Sequence, residues 1–182
     1  MAISFDTDHN PIVGKAEKLE DDLVVITADN ASPMTFTGTR TYILGTENLI
    51  VIDPGPNSEA HLSSIMKYIG KRKVTDILLT HSHIDHSPLS RQLKTETGAR
   101  IIGFGSADEA RTSFMKKLSS SLDLGGEEGI DKDLVLDKKV VEKQILNLNN
   151  YSIEVVHTPG HLSNHICLAV KEKKVLFSGD HV

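Results

Sequence analysis

The strongest constraint on the fold comes from residues 80–86, a segment that contains three histidines and one aspartate. A short apolar run at residues 77–79 leads into it, and Ser87 and Pro88 follow it. Serine favours the N-cap of a helix, and proline favours the first helical position. The segment is therefore predicted to connect a buried strand to a helix and to present its polar side chains from that loop.

The spacing within this segment predicts two adjacent metal sites. His81 and His83 are two residues apart, and on extended backbone such side chains leave the same face of the chain. They can therefore bind one ion. Asp85 and His86 come after the chain has turned, which directs them to a neighbouring position.

Two later segments supply further nitrogen and oxygen donors. Residues 158–161 read Thr-Pro-Gly-His after a strand-like run, so His161 is expected on a rigid turn. Residues 175–180 are predicted to form a buried strand that ends at Asp180. Zinc binds donors of these kinds, and a carboxylate can bridge two ions in a hydrolytic site. The three segments are therefore predicted to meet at one metal centre.

The order of these motifs resembles that of the metallo-β-lactamase superfamily. The resemblance runs from about Val24 to the last residue and includes residues 50–55, which are similar to the family's strand that ends in a supporting aspartate. Residues 33–45, 161–165 and 177–180 look most like the branch that contains β-lactamase-like protein 2, an endoribonuclease. The resemblance implies an α/β protein with the four-layer αββα sandwich of this superfamily.

The resemblance also implies a role for each donor. In the family, three histidines bind a first zinc ion, and an aspartate, a histidine and a bridging aspartate bind a second. The matching residues are His81, His83 and His161 for the first ion, and Asp85, His86 and Asp180 for the second. A further family histidine follows the bridging aspartate, whereas this chain ends two residues after it. The second half of the sandwich is therefore expected to be incomplete.

These matches imply hydrolysis by a metal-activated water, with Asp85 also transferring the proton and Asp53 orienting a ligand imidazole. Phosphodiesters, especially RNA, rank first as substrates because of the branch resemblance, and thioesters rank second. Two other functions stay open. One is iron-dependent redox chemistry, although diiron relatives usually have Glu where this chain has His83. The other is a truncated, non-catalytic module that binds metal and forms a homodimer over an exposed sheet edge.

Composition limits the remaining classes. With 182 residues, the range 1–182 is expected to form one domain. Residues 1–10 lack a basic start followed by an apolar run, and no stretch reaches the about 18 apolar residues of a membrane span, so a cytoplasmic protein is expected. A formal net charge of −5 argues against broad electrostatic binding of nucleic acid, without excluding RNA cleavage. The single Cys167 excludes an internal disulfide and is expected in the core.

Hydrophobic periodicity predicts alternating strands and helices. Strands are predicted near residues 23–27, 40–44, 49–53, 76–80, 100–104, 134–136, 152–157, 166–170 and 174–178. Helices are predicted over residues 58–71, from Leu89 to Gly98, and from a capping box at Ser106 through Met115 and Leu118. Residues 119–133 are predicted to form a surface loop.

Two further histidines are candidates for the site. His165 follows His161 by four residues and is either a substrate contact or a buried structural histidine. His181 directly follows Asp180 and is a candidate replacement for the missing ligand, although strand alternation directs it away from Asp180.

Overall fold

The computed structural model describes residues 9–113, 117 and 129–181, which contain two β-sheets and helices that pack beside them. The strands of the larger sheet are β1 (Ala16–Glu20), β2 (Leu23–Thr27), β3 (Arg40–Leu44), β4 (Asn48–Ile52), β5 (Lys73–Leu78), β6 (Arg100–Gly103) and β7 (Lys138–Lys139). Those of the smaller sheet are β8 (Ile145–Leu148), β9 (Tyr151–His157), β10 (Ile166–Val170) and β11 (Val175–Phe177). The helices are α1 (Glu59–Ile69), α2 (Leu89–Thr97) and α3 (Ala107–Ala110), with 3₁₀ turns at Lys171–Lys173 and Gly179–His181.

The larger sheet changes from antiparallel to parallel pairing at β4. Strands β1 to β4 pair antiparallel in chain order, and β4 to β7 pair parallel in chain order. Parallel neighbours need a crossover connection, which α1 supplies between β4 and β5 and α2 supplies between β5 and β6. The loops that follow β4 and β5 therefore leave the sheet at the same edge.

One hydrophobic core joins the two sheets. Ile50 and Ile52 of β4 face the smaller sheet, where they meet a cluster that includes Ile153, Val155 and Leu168. Each of these side chains is at most 1% exposed. Full burial of such a side chain stabilises the fold by about 1.5–3 kcal/mol, so this layer fixes the position of the smaller sheet on the larger one.

A second core lies on the other face of the larger sheet. Leu62, Ile65 and Ile69 recur at helical spacing on α1 and pack with Ile43 and Val51 of the sheet. The described residues thus form three layers, helix, sheet and sheet. No helix among them covers the outer face of the smaller sheet. The described helices also lack the length and apolar composition of a membrane span.

Most predicted elements are confirmed. Strands β2, β3 and β10 have the predicted bounds. Helix α2 ends at Gly98, which adopts the predicted left-handed conformation with φ 73°. Strands β1, β7 and β8 were not predicted. The first has the sequence Ala-Glu-Lys-Leu-Glu and is mostly exposed, so it shows little of the apolar alternation on which strand prediction depends.

Three local predictions were wrong. No strand forms at residues 134–136, because Leu134 and Leu136 pack as partly buried side chains on the core beneath the helices. The helix predicted from Ser106 was wrong only in part. It is interrupted at Arg111, which is extended, but Ser113 and Lys117 are again helical. Met115, Leu118 and most of residues 119–133 lie outside the described residues. Ser87 is not the N-cap of α2, a position that Pro88 takes.

Helix α1 carries one buried polar side chain that makes folding sensitive to pH. His61 is 3% exposed, and its Nε2 lies 2.8 Å from Oγ1 of Thr41 on β3. Burial lowers the pKa of His61 to about 4. Below its ordinary value of 6.5, the unfolded chain therefore binds a proton that the folded chain rejects.

We expect this histidine to destabilise the fold as the pH falls from 6.5 towards 4, by about 2 kcal/mol at pH 5. His61→Gln keeps a polar side chain without the titration. Urea unfolding of both proteins at pH 7.5 and 5.0 measures the difference. The variant should lose less stability between the two pH values than the parent, and an equal loss in both proteins would contradict the assignment.

Candidate metal centre

The six predicted donor side chains meet where three loops leave the two sheets. His81 and His83 lie on the loop after β5, His161 lies on the loop after β9, and Asp180 lies on the turn after β11. The donor atoms fall into two groups, His81, His83, His161 and Asp180 in one and Asp85, His86 and Asp180 in the other. Within each group all donor atoms lie within 4.8 Å of one another. The structure therefore brings together all six residues.

Three imidazole nitrogens converge in the first group. Nδ1 of His83 lies 3.1 Å from Nε2 of His81 and 2.9 Å from Nε2 of His161. Oδ2 of Asp180 lies 3.4 Å from Nε2 of His161 and 3.9 Å from Nε2 of His81. These four atoms enclose a space that matches the nitrogen and oxygen donor set of zinc.

The second group shares the carboxylate of Asp180 with the first. Nε2 of His86 lies 3.2 Å from Oδ1 of Asp180 and 3.3 Å from Oδ2 of Asp85. Because Oδ1 of Asp180 faces one group and Oδ2 faces the other, this carboxylate has the position of a bridge between two ions.

Electrostatics differ between the two groups. Burial lowers the pKa of His81 and His83, and the neighbouring histidines lower both further, so these rings are neutral and their lone pairs are available. Burial also opposes the charge on His86, but the carboxylates of Asp180, Asp53 and Asp85 outweigh it and raise the pKa of His86 well above 6.5. Nδ1 of His83 faces Nε2 of both His81 and His161. A proton on one of these nitrogens can form only one of the two hydrogen bonds. The donor set therefore fits a divalent cation.

The carboxylate of Asp53 supports the second group, as the sequence predicted. Its Oδ1 accepts from the backbone N–H of Thr80 at 2.8 Å, and its Oδ2 accepts from the Thr80 hydroxyl at 2.6 Å. Oδ2 also lies 3.0 Å from Nδ1 of His86. That contact fixes which nitrogen of the His86 ring turns towards Asp85 and Asp180.

Two other supporting residues were not predicted. Thr39 donates its hydroxyl to Oδ2 of Asp85 at 2.9 Å. Asp131 accepts from the hydroxyl of Ser87 at 2.9 Å and from Arg91 at 2.7 Å, and its N–H donates to the carbonyl of Ser82 at 2.8 Å. Ser87 therefore anchors the metal loop to a distant segment. Thr39 lies within residues 33–45 and Asp131 within the predicted surface loop, but no residue pattern links either of them to the donor side chains. Only the three-dimensional contacts therefore show their role.

His165 is a buried structural histidine rather than a substrate contact. Its side chain is buried, Nδ1 lies 2.8 Å from Oγ1 of Thr158, and Nε2 accepts from the backbone N–H of Asp180 at 3.2 Å. Burial lowers the pKa of His165 to about 4, which keeps the accepting nitrogen unprotonated. His181 is exposed and belongs to neither donor group of the described residues. Cys167 is buried, as expected.

A cavity of about 500 Å³ opens over the second group. Tyr42 and Phe177 form one wall, with ring centroids 5.1 Å apart, and the exposed side chains of Met34 and Phe36 lie at its mouth. Asp85, His86, His161 and Asp180 line its floor. A substrate in this cavity would therefore lie against both donor groups.

Comparison with known proteins gives a family for this arrangement. Residues 34–182 match the model described as the metallo-beta-lactamase superfamily. Hydroxyacylglutathione hydrolase GloC of Haemophilus influenzae is 32% identical over 134 residues, which cover 74% of this chain and 61% of the relative. The beta-lactamase-like protein 2 homolog of Drosophila melanogaster is 32% identical over 179 residues, 93% of this chain and 55% of the relative. The predicted resemblance to the superfamily is confirmed, and the relatives include a member of the predicted branch.

A third relative, an atrochrysone carboxyl ACP thioesterase of Aspergillus terreus, is 26% identical and covers 96% of this chain and 48% of its own length. The chain thus spans about half the length of the curated relatives it matches.

Solved structures show the same fold. A beta-lactamase domain protein from Burkholderia ambifaria has a TM-score of 0.68 at 19% identity and covers 94% of this chain and 56% of its own. A metallo-beta-lactamase from Cronobacter sakazakii has a TM-score of 0.66 at 20% identity, and the match covers 91% of this chain and 62% of the other. At these identities the likeness concerns the fold alone, and it confirms the predicted fold class.

We expect Gly179→Ala to weaken metal binding by about 10-fold to 100-fold. Gly179 has φ 52°, and a Cβ there would lie 2.6 Å from Nε2 of His165 and 2.8 Å from Oγ1 of Thr80. The clash displaces the turn that positions Asp180. Gly160→Ala is the matched control, because no atom lies within 4 Å of a Cβ at that position. Zinc competition against a chromogenic chelator measures both variants, and equal affinities would contradict the expectation.

Zinc binding at the second group should release the proton of His86, whose pKa is raised by the surrounding carboxylates. Calorimetric titration at pH 7 in buffers of different ionisation enthalpy counts the released protons. His86→Gln should release about one proton fewer per chain than the parent protein. The same proton count in both proteins would show that His86 is not the group displaced.

Proposed function

We propose, because the chain belongs to the metallo-β-lactamase superfamily, that it is a zinc-dependent hydrolase that cleaves thioesters. The observation that carries the proposal is the position of Asp180. Its two oxygens face two separate groups of donors, and both groups border one cavity. A shared carboxylate of this kind is what a two-metal hydrolytic site requires.

The residues divide the proposed work as follows. His81, His83 and His161 would hold one zinc ion, Asp85 and His86 would hold another, and Asp180 would bridge them. Bound zinc supplies Lewis acidity, which polarises an acceptor oxygen and lowers the pKa of water towards about 7. All other contributions come from the chain itself.

Asp85 is the residue proposed to take up the proton. Burial raises the pKa of its carboxyl, but the hydrogen bonds with His86 and Thr39 outweigh that effect and hold the pKa at about 2. The carboxylate is therefore ionised at neutral pH, which is the form that both a zinc ligand and a proton acceptor require. Asp53 keeps the ring of His86 oriented while this happens.

Two observations favour thioesters over the phosphodiesters that the branch resemblance ranks first. Among the relatives, one is named as a hydroxyacylglutathione hydrolase and another as an acyl carrier protein thioesterase. In addition, Arg40 is the only arginine or lysine among the described residues that line the cavity. Binding along an RNA backbone draws most of its affinity from several phosphate contacts, which a single cation does not supply.

The activity test compares zinc-loaded protein on three substrates, a hydroxyacylglutathione thioester, an acyl-coenzyme A thioester and a single-stranded RNA. The proposal predicts hydrolysis of a thioester, measured by release of the free thiol. Asp85→Asn should lower kcat by about 100-fold or more, because proton transfer of this kind contributes at least that much. Asp29→Asn removes an exposed carboxylate outside the cavity and should leave kcat unchanged.

Other results would replace the proposal. Cleavage of RNA alone would assign a phosphodiesterase. Iron rather than zinc in protein purified without added metal would favour redox chemistry. A folded protein that contains zinc but hydrolyses none of the three substrates would favour a non-catalytic metal-binding module.

A further inference from the structure

The cavity contains one cationic side chain that the proposed hydrolysis does not use. Arg40 is the first residue of β3, where it pairs with Thr27 of β2. The next residue, Thr41, is fully buried on the helix side of the sheet, where it contacts His61. Because side chains alternate along a strand, Arg40 and Tyr42 lie on the opposite face, at the wall of the cavity.

The guanidinium group of Arg40 is unlike those of the other arginines. Arg91, Arg100 and Arg111 each form an ion pair with an aspartate, and Arg72 donates to the carbonyls of Tyr68 and Ile69. Within residues 9–113, 117 and 129–181, no carboxylate lies within the 4.0 Å of an ion pair from Arg40. The guanidinium hydrogen-bonds to the hydroxyl of Tyr42 on the same strand. Because a guanidinium has five N–H donors, others remain available to a ligand.

The carboxylates near the cavity are already committed to other partners. Asp53 accepts from Thr80 and contacts His86, Asp85 accepts from Thr39, and Asp180 lies between the two donor groups. Among the described residues, Arg40 is thus a positive charge without an acidic partner. The carboxylates of the neighbouring donor groups already have partners of their own. A planar guanidinium binds a carboxylate or a phosphate through two parallel hydrogen bonds, which makes an anionic oxygen group its best ligand.

Exposed apolar side chains line the same cavity and indicate the second part of a ligand that would bind there. Met34 is 86% exposed, Phe36 is 61% exposed and Leu176 is 54% exposed, and all three line the cavity. Exposed large apolar side chains grouped around a cavity mark a ligand-binding surface. A molecule that fits has an apolar part for these residues and an anionic part for Arg40.

We infer that Arg40 is a specificity-determining residue that binds an anionic oxygen group of the substrate, a carboxylate or a phosphate, while the apolar acyl chain lies against Met34, Phe36 and Leu176. This inference rests on the proposed thioesterase function for its reaction. It makes a separate claim about binding. The favoured substrate is an acyl thioester whose thiol portion is charged.

Binding is tested with S-hexyl thioethers, which cannot be hydrolysed, of three thiols. Glutathione offers carboxylates, coenzyme A offers phosphates, and N-acetylcysteamine offers neither. Calorimetry at fixed ionic strength gives the Kd of each for the zinc-loaded parent protein, Arg40→Gln and Arg40→Lys. We expect Arg40→Gln to weaken a charged thioether by about 10-fold to 100-fold and to leave the neutral one unchanged. Arg40→Lys should lie between, because it keeps the charge and loses the bidentate geometry.

Arg72→Gln is the matched control, because it removes a guanidinium outside the cavity and should change no Kd. A selective loss for glutathione identifies a carboxylate, and a selective loss for coenzyme A identifies a phosphate. Equal Kd values for the parent and Arg40→Gln with all three thioethers, or equal weakening of all three, would overturn the inference.

The hexanoyl thioesters of the same thiols separate this inference from the proposed function. If the parent hydrolyses none of them but Arg40→Gln still loses affinity for a charged thioether, the anion site stands and the thioesterase proposal fails. If the parent hydrolyses all three and Arg40→Gln leaves every kcat/KM unchanged, the thioesterase proposal stands and the anion site fails.

Discussion

The carboxylate of Asp53 is the contact on which the rest of the metal centre depends. It accepts two hydrogen bonds from Thr80 and contacts the ring of His86, so one side chain at the end of β4 fixes both ends of the loop that follows β5. Strands β4 and β5 are parallel neighbours, which places their carboxyl ends side by side and lets a short side chain span them. Asp53 itself has φ 49°, an uncommon backbone conformation for a residue other than glycine. Asp53 thus adopts an uncommon backbone conformation at the position from which its side chain holds the loop after β5.

The packing of the two sheets then brings the remaining donors to this loop. His161 and Asp180 come from the smaller sheet, and they reach His83 and His86 only because the core between the sheets sets their distance. His165 adds a second restraint by accepting from the backbone of Asp180. The centre therefore depends on tertiary packing as much as on the histidine motif.

Sequence reasoning identifies the six side chains that the structure brings together, but of the residues that support them it identifies only Asp53, for a physical reason. His81, His83, Asp85 and His86 are close in sequence, so residue type and spacing alone indicate metal binding. Thr39 contacts Asp85 across 46 positions, and Asp131 contacts Ser87 across 44 positions. The residue type and position of this threonine and this aspartate carry no signal of such a contact.

The same distinction applies to the secondary structure. The buried strands β2 and β10 have continuous apolar sequences and were predicted with correct bounds. The exposed β1 and the two-residue β7 form through pairing with neighbours, so their own sequences show little strand character.

Metal content per chain shows whether the donors form two adjacent sites that share Asp180. Protein purified without added metal, then dialysed against micromolar zinc, can be measured by inductively coupled plasma mass spectrometry. Two adjacent sites should bind about two zinc ions per folded chain. One ion would contradict the shared site, and no ion in a folded sample would contradict the metal centre altogether.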